Sequence, residues 1–329
     1  MQKFFNQSFG FRIEKVAILM PDNTNSDSPI SKNEPIVNPK PYLKTYEVNT
    51  FYLKKNEVEK VVSPYIYEYD VFLNLCDGAN DDDRAGIEVV RYLEKMKLPF
   101  TGANSSFYEP TRIEMKLAAK KSNILYPEYL ITNNIFEIDN LKLKYPLIVK
   151  HHNSYSSIGL TEDSVVYDIE SLKKQAKYMI SKYNKILIEE FIEGREFTVL
   201  VVSIDKNNVF AFDAAEIIFP AGEYFKHFNL KWKNHNSMKY IKVDDNSLNE
   251  YLKQSSIKIY KNINGNGYAR FDYRMNKNGD IFFLELNPNC SIYYPENDLS
   301  SADEILNFYE NGHQFFTDAI LNFALQRFI

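Results

Sequence analysis

Four polar side chains suited to binding a cation and an anion belong to one predicted hairpin. Two runs rich in aliphatic and aromatic residues flank Asn278-Gly279, a dipeptide typical of a two-residue hairpin turn. This turn predicts a register that pairs Asp272 with Glu285. The same register pairs Arg270 with Asn287. Because side chains alternate along a strand, all four would project from one face of the hairpin.

The chemistry of this face indicates a divalent metal ion. Two carboxylates that face each other across a strand pair repel, and a bound cation removes that cost. Carboxylate and amide oxygens are the ligands that Mg²⁺ prefers, and Arg270 would add a place for an anion. The alternative is an exposed hairpin whose charged face meets water. The register also depends on the turn, since a longer loop would shift every partner.

Two further segments have the composition of a nucleotide site. Lys150 ends an apolar strand and precedes a loop of small polar residues, which can offer N–H groups and hydroxyls to phosphate oxygens. Glu189 and Glu196 flank the apolar Phe191 and Ile192, a pairing that suits sugar hydroxyls and a base. Each segment alone is more simply explained as a hydrophilic turn or a solvated strand end. Lys116 and Lys231 are individually uninformative, because lysines are mostly on the surface.

Composition restricts the class of protein. The 329 residues carry a formal charge of -5, which argues against a binder of nucleic acid that relies on charge. No apolar run approaches the ~20 residues that span a bilayer, so we expect no membrane partner. The first residues lack the apolar core of a signal peptide. The chain has 2 cysteines, far apart in sequence, which is weakly typical of a reducing, cytoplasmic protein.

The hydrophobic pattern predicts alternating strands and helices. Apolar runs predict strands at residues 15–20, 70–75, 145–150, 186–192 and 195–202. Helical spacing predicts helices at residues 81–96, 110–121, 171–183 and from 302 to the end, with Asp81 to Asp83 capping the first of them. Residues 22–42 are rich in Asn, Ser, Asp and Pro and predict a loop. The alternation of strands with a helix in the N-terminal part indicates a parallel, βαβ-type domain that ends near residue 103.

The order of the motifs is more specific than any one of them. Lys116 is followed by Pro146-Leu-Ile-Val-Lys150 with its Ser-Ser-Ile-Gly loop, by Ile188-Glu-Glu-Phe-Ile-Glu-Gly-Arg-Glu196, and then by Arg270-x-Asp272 and Glu285-Leu-Asn287. This succession resembles the ATP-grasp ligases, in particular the D-alanine–D-alanine ligase-like carboxylate–amine ligases. The similarity extends from about Lys15 to the C-terminus.

The resemblance implies an α/β ATP-grasp fold with an α+β lid. It divides the chain into an N-terminal parallel-sheet domain (residues 1–103), a small lid domain (104–185) and a C-terminal mixed-sheet domain with the metal and substrate site (186–329). ATP and Mg²⁺, which Mn²⁺ could replace, would lie between the last two domains. Small-molecule carboxylate and amine substrates are implied as partners. Relatives of this kind are commonly homodimers, although no residue of this sequence demonstrates a dimer.

The resemblance also implies a role for each candidate residue. Lys116, Lys150 and Lys231 would contact ATP phosphates, Glu189 the adenine amino group, Ile192 the base through its backbone, and Glu196 the ribose. Asp272, Glu285 and Asn287 would bind Mg²⁺. Arg270 would stabilise an acyl-phosphate and the tetrahedral species that follows, and Ser156 and Ser157 would lie in a loop that closes over the reacting phosphate.

The sequence departs from the family pattern where the amino-acid substrates bind. The segments 20–24, 76–84 and 288–294 lack the expected Gly-rich and Pro-Gly-Met-Thr motifs, and Trp232 stands where a tyrosine is usual. We therefore expect an ATP-dependent ligase that forms an amide or peptide bond between amino-acid-like substrates other than D-alanine. The alternatives are a true D-alanine–D-alanine ligase and, in another class, a non-catalytic ATP-binding regulatory or scaffold module. A binding module has no need of Arg270, so its presence favours an enzyme.

Overall fold

The computed structural model describes residues 12–80, 82–153, 155, 157–232 and 237–327. The strands in these ranges are β1 (Lys15–Pro21), β2 (Glu47–Leu53), β3 (Val71–Asn74), β4 (Tyr129–Thr132), β5 (Leu147–His151), β6 (Val165–Val166), β7 (Ile186–Glu190), β8 (Arg195–Ser203), β9 (Val209–Ala211), β10 (Ala215–Ile218), β11 (Lys239–Lys242), β12 (Tyr268–Met275) and β13 (Ile281–Pro288). The α-helices are α1 (Val58–Val62), α2 (Ile87–Lys95), α3 (Arg112–Lys121), α4 (Ile169–Tyr183), α5 (Phe228–Trp232), α6 (Asn246–Asn262), α7 (Ser301–Leu306) and α8 (Gly312–Gln326). Short 3₁₀ turns cover Lys40–Tyr42, Ser63–Tyr65, Ile135–Asn140 and Glu162–Ser164.

The N-terminal sheet has the strand order β2-β1-β3 and is parallel, as predicted. Its central strand β1 is apolar on both faces because helices cover both. Val16 and Ile18 pack towards Phe316 of α8, while Ala17 and Leu19 pack on the α2 side. The sheet therefore joins the start of the chain to its last helix.

The remaining strands form two antiparallel sheets. The smaller one has the order β4-β7-β5-β6 and is covered by the apolar side of α4. The larger one has the order β11-β10-β8-β12-β13, with β9 also paired to β8. Helices α3 and α6 cover one face of it, and α7 and α8 cover the other. We expected a mixed sheet here. Its strands pair antiparallel, and the one parallel pairing in this sheet, among the described residues, is an isolated bridge between Leu125 and Phe282.

The domain boundaries predicted near residues 103 and 185 stay predictions. Strand β7 pairs with both β4 and β5. This pairing favours placing the second boundary after Glu190, so that the small sheet stays in one domain.

Two predicted helices differ from the structure. The helix expected from residue 81 begins only at Ile87, and Asp81 lies outside the described residues. Asp82 and Asp83 do not cap it, because they accept hydrogen bonds from Arg84 and from Ser26. These local partners satisfy the carboxylates before the helix starts.

The C-terminal helix, which we expected to be continuous, is divided into α7 and α8. The chain turns sharply between them. A side chain on Gly312 would lie 2.1 Å from the carbonyl oxygen of Leu306, so the close approach requires glycine. In the described part of the chain, no helix combines the length and the apolar character that crossing a membrane requires.

Candidate active site

The hairpin of β12 and β13 has the predicted register, but by a different route. Asn276 and Asp280 close the loop, with Gly279 at φ +86°, so the turn is one residue longer than the Asn278-Gly279 turn we expected. The longer turn pairs Tyr273 with Phe283, and a bulge then omits Leu284.

Beyond the bulge the predicted pairs return. Asp272 faces Glu285, and Arg270 faces Asn287. The extra residue in the turn and the extra residue in the bulge therefore cancel. The four predicted polar groups lie together on one face of the sheet.

Asp272 is the most heavily bonded of these four groups. Arg270 donates to both of its oxygens at 3.0 and 2.9 Å. Thr198 on β8 donates at 2.8 Å, and the Asn287 amide nitrogen at 3.1 Å. Burial acts to raise the pKa of Asp272, but Arg270 outweighs that effect and the pKa falls to about 2. The carboxylate is ionised at neutral pH.

Glu285 has a basic partner that the sequence did not reveal. Arg112, the first residue of α3, forms a short ion pair with it across 173 residues of sequence. Burial acts to raise the pKa of Glu285, and the charges of Arg112 and Lys150 reverse the shift, so the pKa lies below its usual value. Both facing carboxylates are thus ionised and balanced by arginines.

The carboxylates and the amide fit a hard divalent cation. The Asn287 Nδ2 atom lies 3.1 Å from Asp272 and 3.5 Å from Glu285, between the two acids. An amide rotated by half a turn would present its oxygen at that point. Two carboxylates and one amide oxygen on rigid strands form a donor set that Mg²⁺ prefers.

The predicted phosphate-binding lysines meet at Glu189. Lys116 lies 2.9 Å from this carboxylate, and Lys150 forms a short ion pair with its other oxygen. Burial acts to raise the pKa of Glu189, but the two lysines lower it to about 2. We predicted that Glu189 would contact adenine. That contact stays a prediction; in this structure the carboxylate pairs with the two lysines and lines the same cavity as Ile192 and Glu196.

Glu196 and Ile192 are joined by an arginine that we did not predict. Arg274 Nε lies 2.9 Å from the Glu196 carboxylate, and its Nη1 donates to the Ile192 carbonyl at 2.9 Å. The guanidinium also stacks on Phe191, with 4.6 Å to the ring centroid. The predicted ribose-binding and base-binding groups therefore share one buried anchor.

Lys231 and Ser157 approach the same region, one from helix α5 and the other from the loop after β5. Lys231 is partly buried on α5. Burial together with Arg270 and Lys226 lowers the pKa of Lys231 to about 7. Ser157 donates to the carbonyl of Lys226 at 3.0 Å, which links the small-sheet loop to the loop before α5. Ser156 lies outside the described residues.

Three cavities meet at Arg270 and Lys231. The first is lined by the predicted nucleotide residues, including Lys150, Glu189, Ile192 and Glu196, and also by Asp272 and Glu285. The second lies towards the N-terminal sheet and includes Asp77 and Arg84. The third is lined by aromatic and apolar side chains such as Trp232 and Met238 and by about as many polar ones, among them Lys226, Asp298 and Ser301. Arg270 and Lys231 border all three.

Sequence reasoning missed several residues of this site for different reasons. Arg274 could have been found, because it continues the alternation of Arg270 and Asp272 on one face of β12. Arg112, Thr198 and Lys226 carry no local signal, since their contacts join segments far apart in the sequence.

The fold and the site define the class of this chain. It has the ATP-grasp fold, and its structure resembles a D-alanine–D-alanine ligase from Bacillus anthracis solved with ATP. The TM-score is 0.71 at 20% identity, and the similarity covers 97% of this chain and 99% of the other. The family model described as D-ala D-ala ligase C-terminus matches residues 124–292, just over half of the 329 residues. The chain belongs to the D-alanine–D-alanine ligase family.

Curated relatives agree with that membership. The D-alanine–D-alanine ligase of Aquifex aeolicus is 31% identical over 198 residues, which are 59% of this chain and 64% of that enzyme. The enzyme of Pelagibacter ubique is 29% identical over 245 residues, 70% of this chain and 75% of its own length. The chain thus spans just under two thirds of the Aquifex protein.

Proposed function

We propose that this protein is an ATP- and Mg²⁺-dependent, ADP-forming ligase that joins a carboxylate to an amine. The observation that carries this proposal is the meeting of three cavities at Arg270 and Lys231. A ligase of this kind must bring together a nucleotide, a carboxylate and an amine. A scaffold module that only binds ATP needs one cavity.

The reaction has two bond-forming steps. A carboxylate oxygen of the first substrate attacks the γ-phosphorus of ATP, and ADP leaves. The amine nitrogen of the second substrate then attacks the acyl carbon, and phosphate leaves with the carboxylate oxygen. Both steps develop negative charge on oxygens, which fixed cations in a site shielded from water stabilise.

The residues divide this work by position. Lys150 and Lys231 line the nucleotide cavity and would bind phosphate oxygens, while Arg274 holds Glu196 towards the ribose. Arg270, held by Asp272, would stabilise the oxygens of the acyl-phosphate and of the tetrahedral species. Mg²⁺, held by Asp272, Glu285 and Asn287, would neutralise phosphate charge. Ser157 would help to cover the reacting phosphate from solvent.

D-alanine is the substrate that we propose first for both positions. The relatives named above are D-alanine–D-alanine ligases, and their names favour D-alanine over the different substrate pair that we expected from the sequence departures. The family membership also argues for an enzyme rather than a scaffold module. Two free, buried thiols, Cys76 and Cys290, support a reducing and hence cytoplasmic setting.

A second candidate is a ligase that accepts a larger apolar amino acid in one position. Trp232, Met238, Tyr240, Tyr294 and Leu299 form an apolar wall in one of the three cavities, whose lining also contains Asn33, Asp298 and three serines. Such a wall contacts a bulky apolar group better than a methyl group.

A substrate screen separates these candidates. ADP formation would be followed with D-alanine alone, and with D-alanine paired with D-leucine, D-phenylalanine or their L-isomers, and products identified by mass spectrometry. A D-alanyl-D-alanine product supports the first candidate. A mixed dipeptide formed in preference supports the second. Nucleotide binding without turnover of any carboxylate and amine would favour the scaffold module.

A further inference from the structure

The loop between β13 and α7, residues 289–300, forms part of two of the three cavities. Ser291 lines both the second and the third cavity. Asn289 and Cys290 line the second, and Tyr294 and Leu299 line the third. Among the described residues that line the nucleotide cavity, none belongs to this loop. A change in the shape of the loop would therefore affect the two substrates rather than ATP.

One buried carboxylate holds the 289–300 loop. Asp303, the third residue of α7, is 0% exposed. Its Oδ1 accepts from the backbone N–H of Tyr293 at 2.9 Å and lies 2.9 Å from Nε2 of His313. Its Oδ2 accepts from the backbone N–H groups of Tyr294 and Ser300, both at 3.2 Å. A helix cap explains only the contact with Ser300, which completes a capping box. The other three contacts fix the loop and join it to α8.

His313 and Tyr293 connect this carboxylate to more distant parts of the chain. The ring of Tyr42 stacks on the imidazole of His313, with 4.9 Å between centroids and an interplanar angle of 10°. The Tyr293 carbonyl accepts from the backbone N–H of Asn38 at 2.9 Å, and the Tyr293 hydroxyl lies 2.9 Å from the Thr317 hydroxyl. The loop is thus fixed to the N-terminal segment and to both C-terminal helices.

The conformation of Tyr293 points to a functional reason for this arrangement. Its φ of +64° is one that a bulky side chain rarely adopts, and strained residues of this kind cluster at functional sites. Asp303 accepts the N–H of this strained residue and of the next one, which stabilises the conformation. A fully buried carboxylate is itself costly unless it is well bonded. A loop that only connects β13 to α7 needs neither feature.

We propose that Asp303, oriented by His313, is a positioning residue that fixes the 289–300 loop in the shape required by the amino-acid substrates. Asp303 is absent from the described linings of the three cavities, so it acts through Ser291 and Tyr294. This role rests on the proposed ligase function and adds to it a group that sets the KM for an amino acid.

Asp303→Asn removes the charge with the least change in shape. Whichever way the amide turns, its NH₂ group faces two donors, so the loop cannot keep its conformation. The KM would be measured with D-alanine, or with the amino-acid pair that the wild type joins. It should rise about tenfold or more, because hydrogen bonds to a charged group are lost. The KM for ATP should stay within about twofold, since the loop is separate from the nucleotide cavity. A general loss of stability would not separate these two values.

His313→Leu and His313→Gln form a matched pair. Neither keeps the ring that stacks on Tyr42, but glutamine can still donate an amide N–H to Asp303. The leucine variant should raise the amino-acid KM severalfold, and glutamine should restore most of the wild-type value. Tyr260→Phe is the control for a buried hydrogen bond elsewhere, because it removes the 2.8 Å contact with Ser203. Neither of these two residues is in the described lining of the three cavities. Tyr260→Phe should leave both KM values within about twofold.

Tryptophan fluorescence reports on the loop without turnover. Trp232 is the only tryptophan in the sequence, is 8% exposed, and lines the third cavity together with Tyr294 and Leu299. Asp303→Asn and His313→Leu should increase the quenching of this tryptophan by acrylamide, because the loop that shields the cavity shifts. The variants His313→Gln and Tyr260→Phe should be quenched like the wild type.

Equal quenching in the wild type, Asp303→Asn and His313→Leu would overturn the proposal, whether or not the variants are active. An unchanged amino-acid KM, or an equal increase of the amino-acid and ATP KM values, would overturn it as well. If Asp303→Asn does not fold, equal KM values and equal quenching of His313→Leu and His313→Gln reject it. A wild type that forms no ADP with any amino-acid pair would instead reject the proposed ligase function, and with it the role of Asp303 towards substrates.

Discussion

Replacing Arg274 with methionine should weaken ATP binding and lower stability, because this arginine holds Glu196 and the Ile192 carbonyl. The Arg274 and Glu196 side chains are only 3% and 9% exposed. Methionine keeps the apolar packing on Phe191 but removes every hydrogen bond of the guanidinium. Glu196 would then be left as a buried carboxylate without its partner.

The structure sets the size of the effect. Removing one partner of a buried ion pair costs about 3–5 kcal/mol. Glu196 borders the nucleotide cavity, where water can reach it, so we expect the lower end of that range for the free energy of unfolding. Loss of one oriented, charge-assisted hydrogen bond to the ribose costs about 1.5–3 kcal/mol, which corresponds to a roughly 10- to 150-fold higher KM for ATP. The kcat should change less, because no reacting atom touches Arg274.

A second arginine–glutamate pair on the same sheet provides the control. Arg195 contacts Glu216 at 2.6 Å, but its side chain is 48% exposed. Exposed pairs contribute only about 0–1 kcal/mol, so Arg195→Met should be nearly neutral in both assays. Urea unfolding would give the stabilities, and ADP release at varied ATP would give KM and kcat. Equal effects of Arg274→Met and Arg195→Met, or an unchanged KM for ATP in Arg274→Met, would refute the proposed anchor.

Three further predictions concern charge. Nucleotide binding at pH 8 should take up a proton, because Lys231, with a pKa of about 7, is largely neutral at that pH until a bound phosphate raises its pKa. Calorimetry in buffers of different ionisation enthalpy measures the proton uptake, and Lys231→Met should abolish the uptake. Glu189 has a pKa of about 2 in the fold against 4.5 as the ordinary value, so its ionised form stabilises the fold fully above pH 4.5, and this contribution is lost as the pH falls towards 2. Glu189→Gln should therefore have a lower urea midpoint than the wild type at pH 7, and its midpoint should fall less between pH 4.5 and 3. Midpoints of the two proteins that fall in parallel with pH would argue against the pairing of Glu189 with the lysines. Chelation of divalent metal should abolish ADP formation, Mg²⁺ or Mn²⁺ should restore it, and activity that persists in the chelator would contradict the metal site.

The sequence predicted best where local patterns decide the structure. The alternation along β12 and β13 brought Asp272 and Glu285 together correctly, although the turn was one residue too short, because the bulge at Leu284 restored the register. The alternation of strands with a helix near the N-terminus likewise predicted the parallel sheet that β1, β2 and β3 form. In both cases the local hydrophobic pattern carries the information.

Contacts between distant segments could not be predicted. The ion pair of Arg112 with Glu285 joins a helix start to a strand 173 residues later, and no spacing in the sequence reveals it. Lys116 and Lys150 were predicted to contact ATP phosphates, and no pattern in the sequence indicated that the fold also brings both to Glu189. Charge balance in a buried site is a property of the assembled sheets, and single motifs do not contain it.

The most direct test of the proposed ligase follows one oxygen atom. D-alanine labelled with ¹⁸O in its carboxylate would be incubated with Mg-ATP, and the released phosphate examined by mass spectrometry, with Arg270→Ala as the inactive control. Activation of the carboxylate as an acyl-phosphate predicts one ¹⁸O per released phosphate, together with dipeptide, and neither product in the control. Phosphate without the label, or ADP formation that does not depend on a carboxylate and an amine, would contradict carboxylate activation by this protein.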